Sequence, residues 1–217
     1  MKKNKQRYLY SSFILLVGFV VWTTLVKYVD VGAIGPDGSS VGFAKLNAFI
    51  HRLTGVKMIL YIITDWLSII PFVFAIGFGI FGFIQLIKRK KIQYVDYSIL
   101  VLGAFYIVVF GLYLLFEVCV VNYRPILIEG ILEPSYPSST TLLVLSIMPT
   151  AIMQFNSRIK NITINRLVSW GIIIFTSFMV VGRGISGVHW ITDILGGLLL
   201  SSGLVTLYYF IAFINKK

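Results

Sequence analysis

Apolar residues fall along the chain in six long runs, and polar and charged residues collect in the short stretches between them. A basic head, residues 1–7, precedes the first run at about 8–25. A polar connection over about 27–57 follows, with the turn signal Gly35-Pro36-Asp37-Gly38. Its second half, 41–53, has apolar residues at helical spacing and predicts a helix on the membrane surface. The second run, about 58–87, is interrupted by Asp65 and Pro71 and ends at Lys88-Arg89-Lys90-Lys91. The third covers about 99–121 and the short fourth about 139–155, with a loop rich in Pro and Glu between them. A basic loop, 156–166, leads to the fifth at about 167–181. A turn around Arg183 leads to the sixth, about 189–214, before Asn215-Lys216-Lys217. Runs of this length predict transmembrane helices. The expected fold is all-α, a single domain over residues 1–217 with six spans and no internal repeat. The first run is too long for a signal-peptide core and no small-residue cleavage site follows it, so it is read as a retained span.

Composition agrees. The 217 residues are 58% hydrophobic and 12% charged, with mean hydropathy +0.90, which makes this an integral membrane protein. The net charge of +11 would suit a nucleic-acid binder, but its distribution points to topology instead. Lys2, Lys3, Lys5, Arg7, Lys88, Arg89, Lys90, Lys91, Arg158, Lys160, Arg166, Lys216 and Lys217 fall on one side, thirteen of the 19 cations. Lys27, Lys45, Arg52, Lys57, Arg124 and Arg183 fall on the other. The positive-inside rule therefore puts both termini in the cytoplasm and the loops bearing Arg124, Ser138 and Arg183 outside. A lone cysteine, Cys119, excludes an intrachain disulfide and a multi-cysteine metal site. With only two histidines, His51 and His189, a histidine-rich metal site is not expected, and no cofactor is implied.

Candidate chemistry gathers at that outer side. Gly182-Arg183-Gly184-Ile185-Ser186-Gly187-Val188-His189-Trp190-Ile191-Thr192-Asp193 holds an arginine, a histidine and an aspartate within eleven residues. On a helix, His189 and Asp193 would share a face. Asp193 could then accept from one ring nitrogen and leave the other free as nucleophile or base. Arg183, in a glycine-rich turn ahead of that helix, offers a planar fork for a phosphate. Together these suggest phosphoryl transfer through a phosphohistidine; the plainer reading is a membrane-edge histidine and a snorkelling arginine. Asn122-Tyr123-Arg124-Pro125 closes the third span, with Pro125 holding Arg124 at the interface. Tyr136-Pro137-Ser138-Ser139-Thr140-Thr141 opens the fourth, where Ser138 or Ser139 is a natural N-cap and the free N–H groups form an anion site.

In that order, on six spans, Arg124-Pro125, Pro137-Ser138 and Arg183-x5-His189-x3-Asp193 resemble the type 2 phosphatidic acid phosphatase (PAP2) superfamily, in its bacterial membrane lipid phosphatase branch. The family pattern is K-x6-R-P, P-S-G-H and S-R-x5-H-x3-D. The resemblance runs over about residues 117–193 by motif and over the whole chain by span count. It implies that Arg124 and Arg183 bind phosphate, with Ser138 and nearby backbone N–H groups completing the pocket. It implies His189 as nucleophile, Asp193 as its orienter, no metal, and a lipid phosphate or diphosphate substrate handled at the outer face. Three positions depart from the pattern. Glu117 stands in place of the lysine, Gly182 in place of the serine, and Thr140 in place of the second-motif histidine, the family's general acid. Threonine cannot supply a proton near neutral pH, although its hydroxyl can still donate to a phosphate oxygen. His51, in the first outer connection, is read as a surface histidine.

The expected function is a metal-independent phosphatase of membrane lipid phosphates. A diphosphate such as a polyprenyl diphosphate is favoured, because its leaving group needs no added proton. Arg124, Ser138, Ser139, Thr140 and Arg183 would bind the phosphate, and His189 and Asp193 would carry the chemistry. A non-catalytic lipid-phosphate binder or partner protein is the alternative that Glu117 and Thr140 keep open. A transporter would carry polar groups at mid-membrane depth, whereas here they gather at one face. Neither the lipid nor the oligomeric state is written in the sequence.

Overall fold

The computed structural model describes residues 2–214, and side chains from residue 6 onward. Lys216 and Lys217, and the side chains of Lys2, Lys3 and Lys5, all used in the charge count, lie outside the described residues, as does Asn215. The chain is an all-α, polytopic membrane protein. Its helices are α1 (Lys2–Tyr28), α2 (Ala44–Thr54), α3 (Met58–Leu67), α4 (Ile69–Arg89), α5 (Tyr97–Val118), α6 (Ser139–Asn156), α7 (Ile162–Ile185) and α8 (Ile191–Tyr209), the last extended by a π-helical turn, Phe210–Ile214. Isolated bridges Gly32↔Val41, Tyr123↔Pro134 and Ile128↔Ile131 pin the loops at the α1 and α5 ends.

Five segments are long and apolar enough to cross a bilayer: Gln6–Tyr28, Met58–Arg89, Tyr97–Val118, Ile162–Ile185 and Ile191–Ile214. The sixth predicted span is α6. Its 18 residues reach about 27 Å, close to the hydrocarbon thickness. It is less apolar than the others because it does not face lipid. It packs against α4, α5, α7 and α8, and Leu142, Val144, Ile147, Met148 and Ala151 are buried along it. A helix wrapped by other helices needs no apolar coat of its own.

The lipid tails are as apolar as the side chains, so tight packing and buried hydrogen bonds hold the bundle, not water exclusion. The α1–α8 contact shows both. Ser12 Oγ donates to the Gly203 carbonyl at 2.8 Å. A Cβ added at Gly203 would come within 2.8 Å of Leu16 Cδ2. Large apolar side chains such as Phe13, Ile59, Trp66, Ile107 and Val118 are exposed on the outside of the bundle, where a membrane supplies the solvent.

Several boundaries differ from the sequence reading. The fifth span starts at Ile162, because the Asn161 side chain caps it by accepting from the Thr163 and Ile164 N–H groups at 3.0 and 3.1 Å. It also runs on through Arg183 to Ile185. The third span stops at Val118, and the chain then turns into the bridge at Tyr123. The second span is one long segment with its break at Ser68, between α3 and α4. Pro71 sits in the first turn of α4, where a missing N–H costs little.

Candidate active site

Four chain segments meet at one end of the bundle. The Lys57 N–H donates to the Ser186 carbonyl at 2.8 Å, which ties the start of α3 to the α7–α8 turn. The Ser138 N–H donates to the Asp193 carbonyl at 3.1 Å, which ties the start of α6 to the start of α8. Asn122 Nδ2 reaches Asp193 Oδ1 at 3.4 Å from the end of α5. Arg124, Ser138, Ser139, Thr140, Arg183, His189 and Asp193 are therefore brought to this one end.

Arg183 is not in a turn, as its flanking glycines suggested. It lies in the last turn of α7. Gly182 is helical too, and its missing side chain lets α3 approach: an added Cβ would meet Thr64 Cγ2 at 2.8 Å. The turn comes later, at Gly187, where φ is +73° and a Cβ would fall 2.0 Å from the Gly55 carbonyl oxygen. The Arg183 side chain is 2% exposed. Its Nε and Nη2 donate to Thr140 Oγ1 at 3.0 and 2.7 Å, and Nη2 also donates to Asp65 Oδ1 at 2.7 Å. Its Nη1 is buried with no hydrogen-bond partner among the described residues. Such a group is costly unless a ligand completes it.

His189 also departs from the expected geometry. It lies ahead of α8, whose N-cap is Trp190, so the helical pairing with Asp193 does not apply. His189 Nδ1 is 3.2 Å from the Ser135 carbonyl and 3.7 Å from Asp193 Oδ2, which is too far for a hydrogen bond. The Ser135 carbonyl therefore assigns the proton to Nδ1. Nε2 keeps its lone pair and accepts from Arg124 Nη1 at 3.4 Å. Burial, then the positive fields of Arg124 and Arg183, hold the imidazole pKa well below the ordinary histidine value, against a smaller opposing pull from Ser135. The ring is held neutral. The Asp193 carboxylate instead accepts the Trp190 N–H at 2.9 Å, which caps α8 and fixes the backbone next to His189.

The start of α6 is a cap, as predicted, but its donors divide differently. Ser138 Oγ accepts from the Thr141 hydroxyl at 3.0 Å and the Thr141 N–H at 3.5 Å, so it serves the helix. The N–H groups of Ser139 and Thr140, in the first turn, are the ones left for an anion. Ser139 and Glu117 line a side pocket with Tyr113, Phe116, Ser135 and Tyr136.

Several site neighbours had no reading in the sequence beyond their place in a loop or span. Arg124 Nε lies 2.9 Å from Glu133 Oε2. Tyr61 presents its ring to both arginines, 4.8 Å from Arg183 Cζ and 5.8 Å from Arg124 Cζ. Asn47 of α2 donates to Thr192 Oγ1 at 3.0 Å and to the Gly42 carbonyl at 2.7 Å. That anchor draws α2 over the site loop and corrects the reading of His51 as a surface residue. His51 is part-buried, with Nε2 3.1 Å from the Gly187 carbonyl oxygen and its ring 5.5 Å from that of Trp190. Asp65 carried one signal, an acid inside an apolar run.

The family model of the PAP2 superfamily matches residues 118–217, a stretch that contains every arginine, histidine and aspartate of the expected motifs. Residues 118–217 are PAP2 superfamily sequence. A solved structure agrees in fold, that of "the first transmembrane PAP2 type phosphatidylglycerolphosphate phosphatase from Bacillus subtilis". It aligns over 96% of this chain and 98% of its own, with a TM-score of 0.62 and 17% sequence identity. No curated protein sequence matches the chain. Helices α1 to α5 lie almost wholly ahead of the family match, so Tyr61 and Asp65 come from outside it.

Proposed function

We propose that this protein hydrolyses membrane lipid diphosphates at the outer leaflet through a phosphohistidine on His189. The observation that carries this reading is the imidazole itself. It is buried and neutral, its proton is on Nδ1 toward Ser135, and its lone pair on Nε2 faces a guanidinium at 3.4 Å. Nε2 attacks phosphorus, the P–N bond forms, and the bond to the bridging oxygen breaks. The lipid monophosphate leaves with that electron pair. Water then cleaves the P–N bond and releases inorganic phosphate. The buried Nη1 of Arg183, Arg124 and the free N–H groups of Ser139 and Thr140 stabilise the phosphoryl oxygens. Two guanidinium groups supply the positive charge, so no metal is invoked. Ser138 and Asp193 act as positioning groups through the α6 and α8 caps. The outer-leaflet assignment rests on the cation asymmetry of the loops.

The diphosphate preference rests on Thr140. Its hydroxyl oxygen accepts from Arg183, and an aliphatic hydroxyl is too weak an acid to protonate a leaving group near neutral pH. An alkoxide leaving group needs a proton, whereas a lipid monophosphate has a second pKa near about 6 and leaves without one. General acid catalysis contributes about 10²–10⁴-fold where it is needed. The test is phosphate release from a panel of detergent-solubilised substrates by wild type, His189→Ala and Thr140→His. Wild type should cleave a polyprenyl diphosphate faster than phosphatidic acid, and His189→Ala should cleave neither. Thr140→His should raise the monoesterase more than the diphosphatase. Faster cleavage of phosphatidic acid by wild type would refute the preference. A second reading, a non-catalytic lipid-phosphate binder, is favoured by Glu117 and Thr140. It wins if wild type binds lipid phosphates but releases phosphate from none.

A further inference from the structure

We infer that Asp65 and Tyr61 of α3 form a clamp that aims Arg183 at the phosphate, with Asp65 as a positioning residue outside the PAP2 motifs. The inference rests on the site reading above. Tyr61 and Asp65 are four residues apart on a helix, so they present to the same side. Asp65 takes one N–H of Arg183 Nη2 at 2.7 Å, and the Tyr61 ring lies 4.8 Å from Cζ. Thr140 takes Nε and the other side of Nη2. Two of the three nitrogens of the fork are thus fixed by protein. The third, Nη1, is left buried and unpaired among the described residues.

A guanidinium is rigid and planar, so fixing one edge fixes the other. Asp65 therefore does not occupy the donor a phosphoryl oxygen would use; it sets where that donor points. The backbone supports this placement. Thr64 and Leu60 press on Gly182, and the Lys57 N–H is bonded to the Ser186 carbonyl, so α3 cannot slide along α7 without breaking both contacts. In this chain Thr140, at the position of the family's acid, has become the other half of the clamp.

The rival reading is that Asp65, whose side chain is 53% exposed, plugs the pocket as a mimic of phosphate. The two readings predict opposite signs. In the full chain in micelles, kcat and KM for a lipid diphosphate and inhibition by orthovanadate are measured for wild type, Asp65→Ala and Asp65→Asn. A misaimed fork should cost Asp65→Ala about ten- to a hundredfold in kcat/KM, most of it in kcat, and weaken vanadate by a similar factor. Asp65→Asn keeps an oxygen that accepts from Nη2 and should return to within about threefold of wild type. If the alanine variant does not fold, Asp65→Leu, matched in shape to asparagine, takes its place. Activity of Asp65→Ala within twofold of wild type, tighter vanadate binding, or an asparagine variant as impaired as alanine would each overturn the clamp. A wild type that binds vanadate but hydrolyses nothing defeats the proposed function alone. The clamp then stands if Asp65→Ala weakens vanadate about tenfold, and falls if it does not. A wild type that neither binds vanadate nor hydrolyses overturns both.

Discussion

The two ends of the bundle each hold a polar cluster, half-buried at one end and buried at the other, and the clusters obey opposite rules. Around Arg158, the polar groups of Gln85, Arg89, Asp96, Ser98, Gln154 and Tyr208 satisfy one another. Asp96 accepts from Arg89 and Gln85 at 2.9 Å each and lies 3.4 Å from Arg158 Nη2. Gln154 donates to the Ser98 carbonyl at 3.1 Å and to Tyr208, and accepts from Arg158 and the Ser98 hydroxyl. Burial raises the Asp96 pKa, but hydrogen bonds from Gln85 and Arg89 and the charges of Arg89 and Arg158 outweigh it, so it sits below the ordinary aspartate value. At the His189 end, two arginines share one tyrosine ring, a guanidinium nitrogen is buried without a partner, and the histidine is held neutral. A satisfied network ties helices together. One that leaves a guanidinium nitrogen unmet holds that donor ready for an anion. The contrast teaches that burial of polar groups alone does not mark a site; the unmet valence does.

The comparison breaks most sharply at Asp193. Asp193→Ala removes the carboxylate that caps α8 beside His189 and should leave the chain folded but lower turnover by about an order of magnitude or more, through a misplaced imidazole. The check is kcat on the diphosphate beside a melting curve; unchanged activity would remove Asp193 from the mechanism. The mirror experiment is Gln154→Ala at the opposite end. It strands the Ser98 and Tyr208 groups and should cost stability on the order of 1–3 kcal/mol. Turnover per folded molecule should stay within about twofold of wild type. A turnover loss without destabilisation would show that the two ends are not separable.

The smallest effect is in pH. His189 is held neutral in the fold, so its folded pKa lies below the unfolded value of 6.5. As pH falls through that value the unfolded chain gains a proton that the folded chain refuses. Stability should fall there, by at most about 1.4 kcal/mol per pH unit. Asp96 acts in the same direction in a lower window, its support being lost as pH falls below the ordinary aspartate value of 3.8. Unfolding at pH 5 to 7 should lose the upper slope in His189→Gln and keep it in Asp96→Asn. An unchanged slope in His189→Gln would contradict the buried neutral ring.

Much of this was legible in the chain because the bilayer demands long apolar runs, and five of six spans announce themselves that way. The sixth, α6, is legible by its caps more than by its hydropathy. The motif residues were legible by spacing. Their geometry was not, because it is set by contacts across the fold. Spacing put His189 and Asp193 on one helix face, but the cap at Trp190 moved His189 off the helix and gave its Nδ1 proton to Ser135. Glycines around Arg183 read as a turn, yet one of them is there for α3 to touch. The partner that holds Arg183 lies 118 residues away in sequence, and only the oddity of an acid in an apolar run hinted at it. His51 read as surface because Asn47, the anchor that folds α2 inward, looks like any polar residue in an amphipathic helix.

The account stands or falls on His189 Nε2 as the nucleophile. A lipid diphosphate labelled at its terminal phosphate, mixed with the full chain and quenched within one turnover, should leave an acid-labile, alkali-stable label on the peptide that carries His189. The label should vanish in His189→Ala and build up faster than phosphate is released. Turnover by wild type with no label on that peptide, or a labelled His189→Ala protein, would contradict it.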